Sequence, residues 1–514
     1  MKERLKNSGI DWISVIVPLV GILALGAVFM IIPEQSQNFL ARARSLLGDD
    51  MGLYYILLGV LIFGATMYMA FSKYGNIRLG KVDKPAHSNF TWGALIFTST
   101  MAADIIFFSL SEWAMYMSYN EARLNELGDA YLWSATFPMF HWGPIAWSFY
   151  IVLAVSFGYM LHVKKGTKQK FSEAARPLFG RHIDGPLGKI IDLLAIFALL
   201  AGTATTFSLA TPLIAAALGS VFGIEPTTAF IIIILLMVAV IYTIALLTGV
   251  KGISKLARVS VYIFFALLIY VLVLGREGRF ILEMGVSSIG NLGQNFLGLA
   301  TWTDPMRNDS FPQDWTIFYW AYWMAWCVAT PFFIGMISKG RTVRNTVLGG
   351  YAWGLAGTFT SFIILGNYGL AQQAAYSAGT GGFDVMTSMY TYGYYHTIVS
   401  IFQSLPLPPV ALLLLALTMI IFYASTFDVL TYVISGYSYK KLEQNKEPSR
   451  AIRVFWAVVV IIFPIGLIFS ESALYNLQTV AIVAAFPIGM IVTLIVISFF
   501  KDAKNSLEDK DNIT

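Results

Sequence analysis

Three acidic residues stand where acids are costly. Asp104 and Glu112 lie within one long apolar stretch and Asp428 within another. An ionisable group at membrane depth usually marks a pathway or a partner. No Lys or Arg occurs in either stretch, so Asp104 has two options. It is a neutral, hydrogen-bonded structural acid, or it meets a positive charge that arrives from outside. Aromatic residues supply the second pattern. In DWTIFYWAYWMAWCVATPFF, Tyr319, Tyr322, Trp323 and Trp326 recur at i, i+3, i+4 and i+7, one face of a helix. FHWGPIAWSFY adds Trp142, Trp147 and Tyr150. Aromatic belts at the membrane surface explain isolated Trp at span ends, but poorly explain seven aromatics packed into two stretches. A ring of π-faces suits a methylated ammonium group, which is bulky and weakly hydrated. Each face contributes about 0.5–2 kcal/mol where water is excluded, and a nearby acid adds Coulombic attraction for a net cation.

The elements that must position these residues are membrane spans. The 514 residues are 57% hydrophobic and 12% charged, with mean hydropathy +0.68. Soluble domains carry about 25% charged residues, so a soluble enzyme and a disordered chain are excluded. Net charge is +5 with no continuous basic tract, which argues against nucleic acid as a partner. The single cysteine, Cys327, excludes a disulfide framework and a multi-Cys metal cluster. His87, His141, His162, His182 and His396 are scattered without ligand spacing, and no nucleophile–base set appears. The chain is therefore read as a non-enzyme, with His141 beside Trp142 as a structural histidine.

A span needs about 20 apolar residues. Twelve are expected, at 12–32, 51–72, 92–118, 136–163, 187–219, 228–248, 258–275, 315–337, 345–371, 408–436, 451–470 and 476–499. The first span is too long for a signal-peptide core and is expected to be retained. All are helical, because hydrocarbon forces each backbone to satisfy itself. With both termini cytoplasmic, 28 of the 34 Lys and Arg fall in cytoplasmic segments, a strong positive-inside bias. Stretches 277–299 and 378–403 are expected to lie along the membrane surface or cap the bundle. The C-terminal KDAKNSLEDKDNIT is short and mixed in charge.

FPQDWTIFYWAYWMAW followed by ISKGRTVRN resembles the signature of the betaine/carnitine/choline transporter family, and FHWGPIAW and FFSLSEW match it as well. The resemblance covers nearly the whole chain. It implies an all-α polytopic membrane protein of 12 transmembrane helices with a leucine-transporter-type 5+5 inverted repeat. Residues 1–91 would hold the N-terminal tail and two extra helices, 92–275 the first repeat (spans 3–7), and 276–314 an extracellular loop with an interfacial helix. The second repeat (spans 8–12) would occupy 315–499, and 500–514 a cytoplasmic tail. It also implies a homotrimer in the cytoplasmic membrane, with substrate near the midplane where helices are broken.

The resemblance carries the aromatic cage over to Trp142, Trp147, Tyr150, Tyr322, Trp323 and Trp326, with Tyr322 replacing the usual Trp. It departs in the third span, where Thr100, Ala102 and Asp104 replace a G-x-G-x-G run, which puts an unwound backbone there in doubt. Choline-carrying members share an Asp at the last of these positions. A carboxylate there repels betaine and carnitine and favours choline or protonated trimethylamine, whose N–H Asp104 could accept. Trimethylamine N-oxide is a weaker candidate. Sodium-coupled relatives bind Na⁺ at positions aligned with the carbonyls of Thr98, Met101 and Phe422 and the hydroxyls of Ser425 and Thr426. Oxygen-only ligation suits a hard cation. The hydroxyls could instead bond to carbonyls a turn back. Ion-independent exchangers fill this site with an Arg that aligns with Ser260, and place a Met where Thr330 stands. The reading is Na⁺ symport of a small methylated amine cation with no other cofactor. A betaine or carnitine carrier, an exchanger and a proton-coupled carrier are the alternatives.

Overall fold

A computed structural model describes residues 9–100, 102–119, 129–166, 168–307, 310–442, 446–468 and 474–511. Its principal helices run in chain order: α1 (Trp12–Ile31), α2 (Pro33–Arg44), α3 (Gly52–Phe71), α4 (Asn89–Ser99), α5 (Ala102–Tyr119), α6 (Ala130–His141) and α7 (Pro144–His162). The middle of the chain forms α8 (Pro186–Phe222), α9 (Thr228–Leu247), α10 (Val250–Ile269) and α11 (Gly278–Ala300). There follow α12 (Ile317–Trp326), α13 (Thr330–Ile337), α14 (Val343–Ser361), α15 (Asn367–Ser377) and α16 (Val385–Gln403). The last are α17 (Pro408–Tyr437), α18 (Arg450–Ile468) and α19 (Leu474–Asp511). Among the described residues there is no strand, only the isolated bridges Ile10–Tyr439 and Arg78–Thr342. Eight helices are long and apolar enough to cross a membrane, or ten if each of two bent pairs is one span.

The periphery is apolar on its outside as well as its inside. On α9, Ile233, Val240 and Ile244 are about 60% exposed, whereas Leu235, Val238 and Tyr242 are buried. An aqueous surround would penalise that outer stripe, and hydrocarbon would not. Stretch 277–299 is indeed helical, as α11, and 378–403 contains α16, whose Gly393 turns the chain at φ 78°.

The centre is built from helices that stop short. α4 ends at Ser99, Thr100 is extended, and α5 departs at 65°. The break forms although glycines are missing, so the doubt raised by Thr100, Ala102 and Asp104 does not hold. Hydroxyls do the work instead. Thr426 of α17 donates to the carbonyls of Thr98 (3.1 Å) and Thr100 (2.7 Å), and Thr330 donates to that of Ser99 (2.7 Å). Carbonyls freed by a helix end need such donors when no water is present.

A second bent pair joins α12 to α13 at 55°, where Pro331 follows Thr330 and the Tyr437 hydroxyl reaches the Val328 carbonyl at 2.9 Å. Thr330, the first residue after this break, thus holds the last residue before the other. The third break, between α6 and α7, is set by Gly143 and Pro144. A side chain at Gly143 would come within 2.3 Å of the Met139 carbonyl oxygen, and Pro at a first helical position gives up no hydrogen bond.

Close approach of α14 to α7 depends on Gly354, where an added Cβ would sit 2.6 Å from the indole of Trp147. Gly354→Ala should therefore cost about 1–3 kcal/mol through overpacking, and lower the melting temperature of the detergent-purified protein. An unchanged melting temperature would show that the indole has room to move.

Candidate functional site

The three breaks enclose the aromatic residues singled out by sequence. Trp323 of α12 is the hub: its ring centroid lies 4.8 Å from Tyr150, 5.4 Å from Trp147 and 5.6 Å from Trp142, at tilted to edge-on angles. Trp147 and Tyr150 also meet at 6.1 Å. All four are fully buried. This density explains why a surface belt is the wrong reading of these rings.

The two remaining cage candidates sit apart from that cluster. Tyr322 turns its ring to Phe108 and Phe318 and its hydroxyl to Asp104. Trp326 faces Phe427 of α17 at 6.3 Å, with Gly202 of α8 close to its Nε1. A heptad-like spacing on one short helix does not put every ring against the same guest, because a face about 100° wide divides between neighbours.

Asp104, in the first turn of α5, has no solvent exposure. Its Oδ2 accepts hydrogen bonds from the Tyr322 hydroxyl and from Thr206 of α8, both at 2.5 Å. Its Oδ1 has no hydrogen-bond partner, and among the described residues no Lys or Arg pairs with it. Through the Tyr322 hydroxyl the acid meets one of the cage candidates, and among the described residues no basic side chain is tied to it. Thr206 was missed by sequence reasoning. Its signal was the hydroxyl-rich run GTATTFS in an otherwise apolar helix.

The cation-site candidates converge at the α4/α5 break. The Ser425 hydroxyl lies 2.9 Å from the Phe422 carbonyl and 3.5 Å from that of Thr98, and the Thr426 hydroxyl bonds Thr98 and Thr100. Thus two hydroxyls and the carbonyls of Thr98 and Phe422 share one small volume, all buried. Met101 lies outside the described residues. The hydroxyls bond across to another helix as well as back along their own, so the turn-back reading accounts for only part of their contacts. Ser260, where exchangers have Arg, returns its hydroxyl to the Leu256 carbonyl of its own helix at 2.8 Å.

The other two acids differ from Asp104. Asp428 is buried without a side-chain partner. Glu112 accepts from the indole N–H of Trp142 at 2.7 Å and from the Tyr116 hydroxyl. His141 belongs to the same group, with Nδ1 2.6 Å from that hydroxyl. Among the described residues no set of His, Cys, Asp and Glu could hold a transition metal.

Comparison with known proteins finds relatives along nearly the whole chain. The chain is 32% identical over 507 residues to a probable glycine betaine transporter of Desulfitobacterium hafniense, covering 96% of this chain and 97% of that protein. It is 27% identical to the glycine betaine transporter OpuD of Bacillus subtilis, covering 96% and 94%. It is 28% identical to a carnitine transporter of Acinetobacter baumannii, covering 84% and 77%. The profile of the betaine/carnitine/choline family transporters matches residues 13–508. The chain is thus a multi-pass membrane protein and not an enzyme, and it belongs to the betaine/carnitine/choline transporter (BCCT) family.

Proposed function

We propose that the chain is a Na⁺ symporter that imports a small methylated amine cation, with trimethylammonium and choline as the leading substrates. One observation carries the reading: the fully buried carboxyl of Asp104 bonds a cage candidate, Tyr322, through one oxygen, and its other oxygen has no partner among the described residues. An isolated buried carboxylate costs several kcal/mol, and a cationic guest offsets that cost. A betaine or carnitine guest brings its own carboxylate and adds repulsion. Trp142, Trp147, Tyr150 and Trp323 supply the π-faces for the methyl groups, Tyr322 links cage to acid, and Trp326 lines the side toward α17. Na⁺ would sit among the carbonyls of Thr98, Met101 and Phe422 and the hydroxyls of Ser425 and Thr426, and no other cofactor is required.

Two bent pairs, α4/α5 and α12/α13, each opening one half of the chain, support twelve spans in two inverted five-helix repeats at 92–275 and 315–499. Family kinship supports a homotrimer in the cytoplasmic membrane. The basic-residue bias supports cytoplasmic termini. A second reading, a zwitterion carrier, is favoured by the relatives described as betaine and carnitine transporters.

Uptake of labelled trimethylamine, choline and betaine into reconstituted vesicles, with and without a sodium gradient, separates the two. We expect cation uptake driven by sodium; preferred betaine uptake would assign the second reading. Asp104→Gly should lower cation uptake at least tenfold, equivalent to about 1.4 kcal/mol, and admit betaine. An unchanged preference would remove Asp104 from selection. Ser425→Ala combined with Thr426→Ala should raise the sodium concentration needed for half-maximal uptake, and an unaltered sodium dependence would move the ion elsewhere. Trp323→Ala should abolish high-affinity uptake of every substrate, since it is the one ring that touches Trp142, Trp147 and Tyr150.

A further inference from the structure

Glu112 and His141 have no part in the reading above, yet they are joined in a continuous hydrogen-bonded chain. Glu112 Oε1 meets the Tyr116 hydroxyl, that hydroxyl meets His141 Nδ1 at 2.6 Å, and His141 Nε2 lies 3.0 Å from the Thr316 hydroxyl. Glu112, Tyr116 and His141 have no solvent exposure, and Thr316 is buried. The chain crosses three segments, α5, α6 and the π-helical turn Pro312–Thr316 that leads into α12. It starts two helical turns beyond Asp104 and shares no atom with the cation-site candidates. At its head, Glu112 Oε2 accepts the indole N–H of Trp142. Among the described residues the indole N–H groups of Trp147, Trp320, Trp323 and Trp326 have no hydrogen-bond partner. Trp142 alone in this cluster is anchored by an ionisable group.

Donor accounting gives the chain two registers with the same heavy-atom positions. With Glu112 ionised, Tyr116 donates to it, His141 Nδ1–H donates to Tyr116, and Nε2 accepts from Thr316. With Glu112 Oε1 protonated, the carboxyl donates to Tyr116, Tyr116 donates to Nδ1, and Nε2–H donates to Thr316. The added proton enters at the Thr316 end: Thr316 takes it and passes its own proton to Nε2, the Nδ1 proton passes to the Tyr116 oxygen and the Tyr116 proton to Glu112 Oε1, so each bond reverses and no heavy atom moves. Protonation changes one thing outside the chain. The bond to the Trp142 indole is charge-assisted in the first register and neutral, hence roughly half as strong, in the second.

The ionisable groups that face Glu112 are few. Tyr116 lies on its own helix, His141 approaches from α6 at 3.9 Å, and Tyr319 approaches from α12. Tyr394 and Tyr395 of α16 and Tyr423 of α17 meet α5 nearer Phe107 and Asp104. Asp314, two residues before Thr316, is engaged by Arg44 at 2.7 Å. Among the described residues no Lys or Arg pairs with Glu112, so only a proton can neutralise it in place.

We propose that Glu112, Tyr116 and His141 form a proton-binding site, separate from Asp104, whose proton loosens the anchor of Trp142 and so makes the aromatic cluster responsive to pH. Glu112→Gln is the informative variant. A glutamine accepts the indole N–H through its oxygen and donates to Tyr116 through its nitrogen, reproducing the protonated register permanently. The first experiment is pH-difference infrared spectroscopy on purified protein without substrate. We expect a protonated-carboxyl band that grows as pH falls, is lost in Glu112→Gln, and persists in Asp104→Asn and Asp428→Asn. In Tyr116→Phe the midpoint of that band should rise by about one pH unit, the worth of one hydrogen bond to a charged acceptor. Persistence of the band in Glu112→Gln overturns the proposal. If that variant does not fold, an unmoved midpoint in Tyr116→Phe overturns it. The second experiment uses choline, whose charge is independent of pH, in vesicles at clamped potential. The wild-type and Glu112→Gln profiles, each normalised to its own maximum, should differ by a component of at most about tenfold per pH unit, the limit for one proton, and superimposable profiles contradict the assignment.

Discussion

An acid that the protein itself leaves without a cation is the constraint around which this site is organised. Two hydroxyl groups reach one oxygen of Asp104, and hydrogen bonds to a charged group contribute about 1.5–3 kcal/mol each. The other oxygen has none. Burial of a carboxylate costs several kcal/mol, a cost that a proton or a positively charged guest at Asp104 would offset. The rings beside it are suited to the second. They offer negative π-faces to a cation.

Broken helices make this possible. The carbonyls of Thr98 and Thr100 are freed from helical bonding, and Asp104 comes in the first turn after them, because α4 and α5 do not continue one another. The exposed backbone is satisfied by side chains from other helices: Thr426 from α17 and Thr330 from the start of α13. The hydroxyl of Thr330 ties the two bent pairs together, so a shift at one break is felt at the other. A cation bound among Ser425, Thr426 and the Thr98 carbonyl would replace these hydroxyl–carbonyl bonds with ion–oxygen contacts. On the proposed reading, that exchange would link ion occupancy to the angle between α4 and α5.

Much of this was legible in the sequence, for identifiable reasons. Composition and hydropathy fixed the class, because hydrocarbon tolerates little besides helices. The position of Asp104, the density of Trp and Tyr, and the Ser425–Thr426 pair were visible as residue types in places where those types are rare. Three features were not. The break after Ser99 looked doubtful without glycine, since hydroxyls that hold it come from residues more than 200 positions away. Thr206 was hidden because one hydroxyl in a hydroxyl-rich helix carries no mark of which carboxylate it meets. The partners of His141, Tyr116 and Thr316, were not legible because they lie 25 and 175 residues distant. Local pattern announces what a residue can do, and tertiary packing decides whom it meets.

The central claim is that net charge at Asp104 selects the guest. It is tested most directly by equilibrium binding of choline and of glycine betaine to the purified wild-type chain in sodium buffer, followed by tryptophan fluorescence. The account predicts that choline binds at least about tenfold more tightly, a difference of about 1.4 kcal/mol. Betaine binding as tight as choline, or tighter, would contradict it.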